Sequence, residues 1–175
     1  MKSTSDHFEL FGLPRRFAID ASQLESRYRD LQREVHPDRF AASSAGDQRA
    51  SMEMATRVND AYRQLRTPLA RARYLLELAG VDTGIETNTA MPAEFLMQQM
   101  EWREDLEDAV RSGDSAQLDR LDARMRAEST DWYADLASAL DGGAYDMAVT
   151  LVRKLMFMDK LREEIQSAHE RLLEA

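Results

Sequence analysis

A histidine, a proline and an aspartate follow one another at His36, Pro37 and Asp38, at the end of an amphipathic segment. A histidine beside a carboxylate could act as a general base, and Ser43 and Ser44 are near enough in sequence to be considered as nucleophiles. Pro37 has no backbone N–H and disfavours helical conformation at His36, so the preceding helix is expected to end there. Both polar side chains are therefore predicted to lie on a turn between helices.

Catalytic and metal-binding sites need more groups than this stretch supplies. Ser43 and Ser44 fall in a connector that lacks a glycine-rich elbow or obvious oxyanion donors. The three histidines show no HxxxH or HxxE spacing, and the chain has no cysteine for disulfides, thiolate-bound zinc or iron–sulfur centres. We therefore expect neither an enzyme nor a cofactor or metal site. An ordinary polar turn is the alternative interpretation of the tripeptide.

The composition predicts an all-α protein. Gly (7) and Pro (4) are scarce, Met is frequent (10), and no run alternates polar residues with apolar β-branched ones. No segment approaches the ~20 apolar residues that a membrane-spanning helix needs. The first residues also lack an apolar signal region, so a cytoplasmic protein without membrane association is expected.

The two halves of the chain differ in charge. Residues 1–78 contain 13 Lys or Arg and 11 Asp or Glu, a net charge of +2, whereas residues 79–175 contain 10 and 21, a net charge of −11; together they give the −9 of the chain. This asymmetry suggests two domains with different partners. The acidic part would repel phosphate, so nucleic-acid binding is not expected.

Four helices are predicted for residues 1–78: a short apolar helix ending at Gly12, helices at about 21–35 and 48–66, and a helix starting at Pro68. Asp20 and Thr67 are expected to cap the second and the fourth. Residues 41–47 are expected to form a flexible connector. The apolar positions expected to be buried in the three longer helices are Leu24, Tyr28, Leu31 and Val35; Met54, Val58, Ala61, Tyr62 and Leu65; and Leu69, Ala72, Leu75 and Leu76.

Residues 79–90 have low helix propensity and are predicted to be a linker. Three long helices follow, from Met91-Pro92 to about Arg111, from the cap Asp114 to about Leu140, and from about Ala144 to Leu173. Short turns between long helices predict an antiparallel three-helix bundle.

Three blocks of sequence surround the tripeptide in a fixed order: Asp6–Pro14, Tyr28–Asp38 and Val58–Pro68. With these blocks in place, residues 5–78 resemble a J domain, the module of DnaJ-type co-chaperones. The resemblance implies an antiparallel helical hairpin whose exposed loop, His36, Pro37 and Asp38, stimulates ATP hydrolysis by a DnaK-class chaperone.

The same resemblance implies a role for arginines on the helix before this loop. Arg29 and Arg33 lie one turn apart, opposite the buried stripe, and would meet an acidic surface of the chaperone. Arg27 is a weaker candidate because its helical angle lies nearer that stripe. A solvated helix face without a partner is the alternative that residue types leave open.

The first bundle helix has two apolar faces. Phe95, Trp102, Leu106 and Ala109 recur at helical spacing and are expected in the core. A second set of apolar residues shares its face with acidic residues, which favours a partner site. Burial of the helix on two sides is the alternative. This second face consists of Leu96, Met97, Met100, Glu101, Glu104 and Asp108.

The second half resembles the C-terminal bundle of the HscB (Jac) family, the co-chaperones of iron–sulfur cluster biogenesis. The matching blocks are Arg71–Leu76, Phe95–Glu101, Arg103–Leu106 and Val152–Arg162. In that family the bundle binds the scaffold protein IscU and the J domain engages the chaperone HscA. The resemblance implies that the scaffold-binding positions are Leu96, Met97, Met100, Glu101, Glu104, Asp108 and Phe157.

Phe157 is the candidate that lies on a different helix from the others. It flanks the stripe expected to form the core side of that helix, so partial exposure is expected; a peripheral core aromatic is the alternative. The stripe consists of Met147, Leu151, Met158 and Ile165.

These observations together predict an all-α, L-shaped co-chaperone with a J domain at 1–78, a linker at 79–90 and a three-helix bundle at 91–175. Since the chain lacks cysteine and the cysteine-rich metal module of some eukaryotic relatives, we expect the bacterial type, an adaptor and not a cluster carrier. Two alternatives stay open: a J-domain co-chaperone for a different client, and an enzyme that uses His36 and Asp38. Weak self-association through the Met-rich face is left open.

Overall fold

The computed structural model describes residues 6–83 and 91–174, which contain helices and no strand. The chain divides into two compact units at Val81–Asp82, within the predicted linker, of which residues 84–90 lie outside the described residues. The helices in the described residues are α1 His7–Phe11, α2 Ala21–Val35, a 3₁₀ helix Pro37–Phe40, α3 Ala45–Arg66, α4 Pro68–Leu78, α5 Ala93–Ser112, α6 Ser115–Asp141 and α7 Tyr145–Glu174. The all-α class is confirmed.

In the first unit, α2 and α3 form an antiparallel hairpin. Tyr28 stacks on Tyr62 with 3.9 Å between ring centroids, and the Tyr28 hydroxyl donates to Asn59 Oδ1 at 3.0 Å. Near the other end of the hairpin, the Ser51 hydroxyl donates to the Val35 carbonyl at 2.8 Å. The predicted cap of α2 is confirmed, because the Asp20 carboxylate accepts from two N–H groups of the first turn.

Helices α1 and α4 close the core of this unit. Burial of each large apolar side chain contributes about 1.5–3 kcal/mol. Arg71 of α4 is buried with them: its Nε donates to the Phe17 carbonyl and its Nη1 to the Leu65 carbonyl, both at 2.7 Å. The buried residues of this core are Phe8, Phe11, Leu13, Leu24, Val58, Ala61, Leu65 and Tyr74.

Two expectations for α3 are wrong. The helix begins at Ala45, so the connector is shorter than 41–47; Ser44 caps it by accepting from the Asp47 N–H, and the Ser44 hydroxyl donates to the Asp47 carboxylate. Met54, expected to be buried, is 38% exposed. Ser51 is the buried residue at that end of the helix.

In the second unit, α5, α6 and α7 run up, down and up. Asp105 of α5 pairs with Arg124 of α6, and Arg162 of α7 pairs with Asp122 of α6. The predicted cap Asp114 is confirmed by a bond from the Gln117 N–H at 2.9 Å. The core contains Phe95, Trp102, Leu106, Ala109, Leu118, Leu121, Met125, Met158, Leu161, Ile165 and Ala168.

The predicted core stripe of α7 is partly wrong. Leu151, Met158 and Ile165 are buried, but Met147 is 51% exposed. Its neighbour Ala148, about 100° further round the helix, takes the inward position.

Candidate partner-binding surfaces

His36 ends α2 and turns the chain away from the helix axis. Its ψ of 127° is not helical, and Pro37 starts the 3₁₀ helix directly after it. His36 Nδ1 accepts from the Asp38 N–H at 3.3 Å, and the His36 carbonyl accepts from the Arg39 N–H at 3.0 Å. The side chains of His36 and Asp38 remain 58% and 90% exposed. The prediction that both lie exposed on a turn is confirmed.

Side chains that the sequence analysis did not single out hold this turn. Gln48 Nε2 donates to the carbonyls of Ala41 and Ser43, both at 3.2 Å. Arg39 Nη1 donates to the Arg33 carbonyl at 3.3 Å. Two carbonyls of the segment between α2 and α3 are therefore bonded to a side chain of α3. Side-chain bonds to loop carbonyls have no characteristic spacing in sequence.

The three predicted arginines of α2 are all exposed, including Arg27, which was expected nearer the buried side. Arg33 forms an ion pair with Asp30 in the preceding turn. Arg29 and Arg27 form no ion pair within the described residues. Their charge is therefore available to an acidic partner.

A concavity of about 440 Å³ lies between α2 and the turn. Its lining combines guanidinium groups with the imidazole of His36, and the described residues contribute no carboxylate to it. The lining residues are Arg29, Gln32, Arg33, His36 and Arg39.

The acidic face of α5 is exposed. Leu96, Met97 and Met100 are 45%, 61% and 64% exposed, although Phe95 and Trp102 of the same helix are buried in the core. Glu101, Glu104 and Asp108 are exposed on this helix as well, and Asp108 pairs with Arg111 at 2.9 Å. The alternative that α5 is buried on two sides is therefore wrong.

Phe157 of α7 is half-buried at the edge of an aromatic cluster. Its ring stacks on Trp102 at 6.1 Å between centroids and meets Phe95 edge-on at 5.8 Å. The Arg103 guanidinium lies over the Phe157 ring, 5.5 Å from its centroid. Partial exposure is confirmed, and the ring also closes the core. Arg103 was not among the predicted site residues, since its neighbour on α7 could not be inferred from spacing.

Lys154 of α7 lies over two rings of this cluster. Its Nζ is 5.2 Å from the centroid of Phe95 and 5.1 Å from that of Trp132. Such cation–π contacts stabilise partly buried aromatic rings. The cluster is thus held by cations from both α5 and α7.

A larger groove of about 960 Å³ runs between the C-terminal halves of α5 and α7. Its apolar residues are Leu106, Val110 and Ala168, and charged side chains of both signs form the rest of its lining. None of the predicted site residues lines this groove.

Several displaced pKa values belong to half-buried groups of the bundle. Burial raises the pKa of Tyr133 to about 12, with Asp159 adding to the shift. Burial also raises the pKa values of Glu128 and Asp159. Within the described residues, no group of three or more His, Cys, Asp or Glu side chains could hold a metal ion, and no helix is long and apolar enough to cross a membrane.

Comparison with known proteins gives the same family over most of the chain. A family model described as the HSCB C-terminal oligomerisation domain matches residues 91–166. The co-chaperone protein HscB homolog of Azoarcus sp. (strain BH72) is 55% identical over 168 residues, 95% of each chain. That of Paraburkholderia xenovorans (strain LB400) is 50% identical over 173 residues, 98% of this chain and 99% of the relative.

Solved structures show the same fold. Chaperone HscB from Vibrio cholerae matches with a TM-score of 0.87 and 38% identity, over 96% of this chain and 99% of that chain. Human co-chaperone protein HscB matches with a TM-score of 0.89 and 31% identity, over 95% of this chain and 83% of that chain. The chain therefore belongs to the HscB (Jac) family, the co-chaperones of iron–sulfur cluster assembly.

Proposed function

We propose that this co-chaperone binds the scaffold protein IscU through its bundle and stimulates the ATPase of the chaperone HscA through its J domain. The observation that carries the proposal is the exposure of Leu96, Met97 and Met100 on an acidic helix whose other side fills the core. Large apolar side chains exposed together are typical of a protein-binding surface. Methionine adapts readily to the shape of a partner.

The proposed scaffold surface combines these side chains with Phe157 of α7 and the carboxylates of Glu101, Glu104 and Asp108. Apolar contacts would supply the affinity, and the carboxylates would favour a basic partner surface and accelerate association.

The proposed chaperone surface consists of His36, Pro37 and Asp38 with Arg29, Arg33 and Arg27. The exposed guanidinium groups suit an acidic chaperone surface, which places the turn against the chaperone in a fixed orientation. The internal bonds of the turn support this role, because a preorganised loop loses less conformational entropy on binding.

We propose that His36 and Asp38 catalyse nothing themselves. Both side chains are exposed to water, and the concavity beside them offers guanidinium groups and no positioned nucleophile. ATP hydrolysis would take place in the chaperone, and the cytoplasm, where ATP is available, would be the site of this exchange.

Titration calorimetry with IscU tests the scaffold surface. Relative to the unchanged chain, the triple variant L96A/M97A/F157A is expected to bind at least about tenfold more weakly, because truncation of buried apolar anchors costs more than 1 kcal/mol each. The matched control M52A/M147A removes exposed methionines elsewhere and should bind like the unchanged chain.

Two results would contradict the proposal. If the unchanged chain does not bind IscU, the bundle serves a different client. If the triple variant binds IscU as tightly as the unchanged chain, the scaffold surface lies elsewhere.

A further inference from the structure

Arg103 connects the proposed scaffold surface to the rest of the bundle. From α5 its guanidinium lies over the Phe157 ring of α7, and its Nη1 pairs with Glu164 Oε2 of α7 at 3.2 Å. The two ion-paired side chains are 45% and 34% exposed. One side chain thus joins α5 to α7 by both a cation–π contact and an ion pair.

The joint matters because the proposed surface is split between these two helices. Leu96 and Met100 belong to α5, whereas Phe157 belongs to α7. Trp102 and Phe95 support the inner side of the Phe157 ring. Without the Arg103 contact, the half-buried Phe157 ring would be held less firmly in the position in which it extends the α5 surface.

The charge of Arg103 also differs from that of its surroundings. It is the one basic residue in 93–110, a range with six acidic residues. A single cation on an acidic face does not strengthen its attraction for a basic partner. The Arg103 guanidinium is already in contact with Glu164 and with the Phe157 ring. The contacts of the Arg103 side chain are therefore within the bundle.

We propose that Arg103 is a positioning residue for partner binding: it holds the Phe157 ring against α5, so that apolar side chains from two helices form one preorganised patch. The inference rests on the proposed function. Preorganisation lowers the entropy lost when the partner binds, so the effect should be seen in affinity for the scaffold.

Calorimetry with IscU and the full chain provides the test. R103M, which keeps the length of the side chain but not its charge, should weaken binding about three- to tenfold. R103K keeps a cation over the ring and should recover most of the affinity. E164Q, which releases Arg103 without changing it, should give a smaller loss and offers a second variant if R103M fails to fold.

Arg124 provides the matched control. It also forms an ion pair with α5, at 2.5 Å from Asp105, with side chains 48% and 45% exposed, but joins α5 to α6. R124M should lose a similar amount of thermal stability as R103M and bind IscU like the unchanged chain. Equal loss of affinity in R103M and R124M would overturn the inference, because bundle stability alone would then explain it.

A double-mutant cycle tests whether Arg103 acts through Phe157. If it does, R103M/F157A binds no more weakly than F157A, whereas additive losses would mean that Arg103 contacts the partner directly, which overturns the inference. If F157A weakens binding but R103M and E164Q do not, this inference alone is wrong. If F157A itself has no effect, the proposed scaffold surface and this inference both fail.

Discussion

The turn after α2 and the face of α5 are built in opposite ways. The turn uses consecutive residues, His36 to Arg39, whose hydrogen bonds to the His36 imidazole and carbonyl fix their geometry within a few positions of the chain. The proposed scaffold surface combines separate side chains of the α5 face with Phe157 of α7, which is separated from them in sequence by more than half the length of the bundle. A site made of consecutive residues can be recognised in the sequence as a motif, whereas a surface made of dispersed residues can be recognised only from the tertiary structure.

The two regions also differ in chemistry. The J domain, with a net charge of +2, has polar and basic groups at its proposed surface. Residues 79–175, with a net charge of −11, have apolar groups at theirs. Each surface therefore suits a partner that the other would not attract. The comparison predicts that the two proposed activities, scaffold binding and chaperone stimulation, can be removed separately.

The largest effect is expected from H36Q. Glutamine cannot present the imidazole at the chaperone surface or accept from the Asp38 N–H in the same geometry, so stimulation of the HscA ATPase should be lost entirely while IscU binding is retained. Steady-state ATP hydrolysis with increasing co-chaperone measures the first, and calorimetry the second.

The matched control is H169Q, the same substitution at a histidine of the bundle that pairs with Asp119. It should stimulate HscA normally. If H36Q stimulates the HscA ATPase as well as the unchanged chain does, the turn does not act through His36, and its contrast with the α5 face no longer holds.

The second effect is on the stability of the J domain, and it should leave the bundle unchanged. R71M leaves the carbonyls of Phe17 and Leu65 without their charged donor, which should lower the free energy of unfolding of the J domain by about 2–4 kcal/mol. Residues 91–174 should unfold as before. Thermal unfolding with tryptophan fluorescence isolates the bundle, since Trp102 and Trp132 both belong to it.

R73M, two residues further along α4 at an exposed arginine, is the matched control and should change the unfolding free energy by no more than about 0.5 kcal/mol. Equal effects of R71M and R73M would show that the buried arginine does not stabilise the J domain.

The smallest effect is a pH dependence confined to the J domain. Burial, and next the nearby Arg57, lower the pKa of His7 from 6.5, outweighing the opposite effect of Asp6, Glu77 and Asp60. As pH falls through 6.5, His7 is therefore protonated in the unfolded chain before it is protonated in the folded one. The stability of the J domain falls over this range, until His7 is protonated in the folded form too.

H7F keeps a ring against Tyr74, which stacks on His7 at 4.3 Å, but cannot titrate. Its J domain should lose less stability than the unchanged chain between about pH 8 and pH 5, the range of histidine titration. Chemical denaturation at a series of pH values measures the difference. Parallel curves would contradict it.

Much of the fold could be predicted because local signals agree with the tertiary structure. Asp20, Thr67 and Asp114 cap their helices as expected. The start of α3 was missed because its N-cap, the Ser44 hydroxyl that accepts from the Asp47 N–H, lies in a segment that has the composition of a loop.

Burial at helix ends could not be predicted in the same way. Periodicity gives the face of a helix but not how far along it a neighbour extends, which is why Met54 and Met147 are exposed. The exposure of the α5 face and the contact between Arg103 and Phe157 likewise depend on where α7 lies. Spacing alone could not distinguish a second buried side from a surface.

The central claim is that one chain joins two partners through two independent surfaces. The ATPase rate of HscA measured with the co-chaperone alone, with IscU alone and with both tests it most directly. The account predicts that both together stimulate far more than the sum of their separate effects, and that L96A/M97A/F157A removes only the part that depends on IscU. Simply additive stimulation, with the triple variant indistinguishable from the unchanged chain, would contradict it.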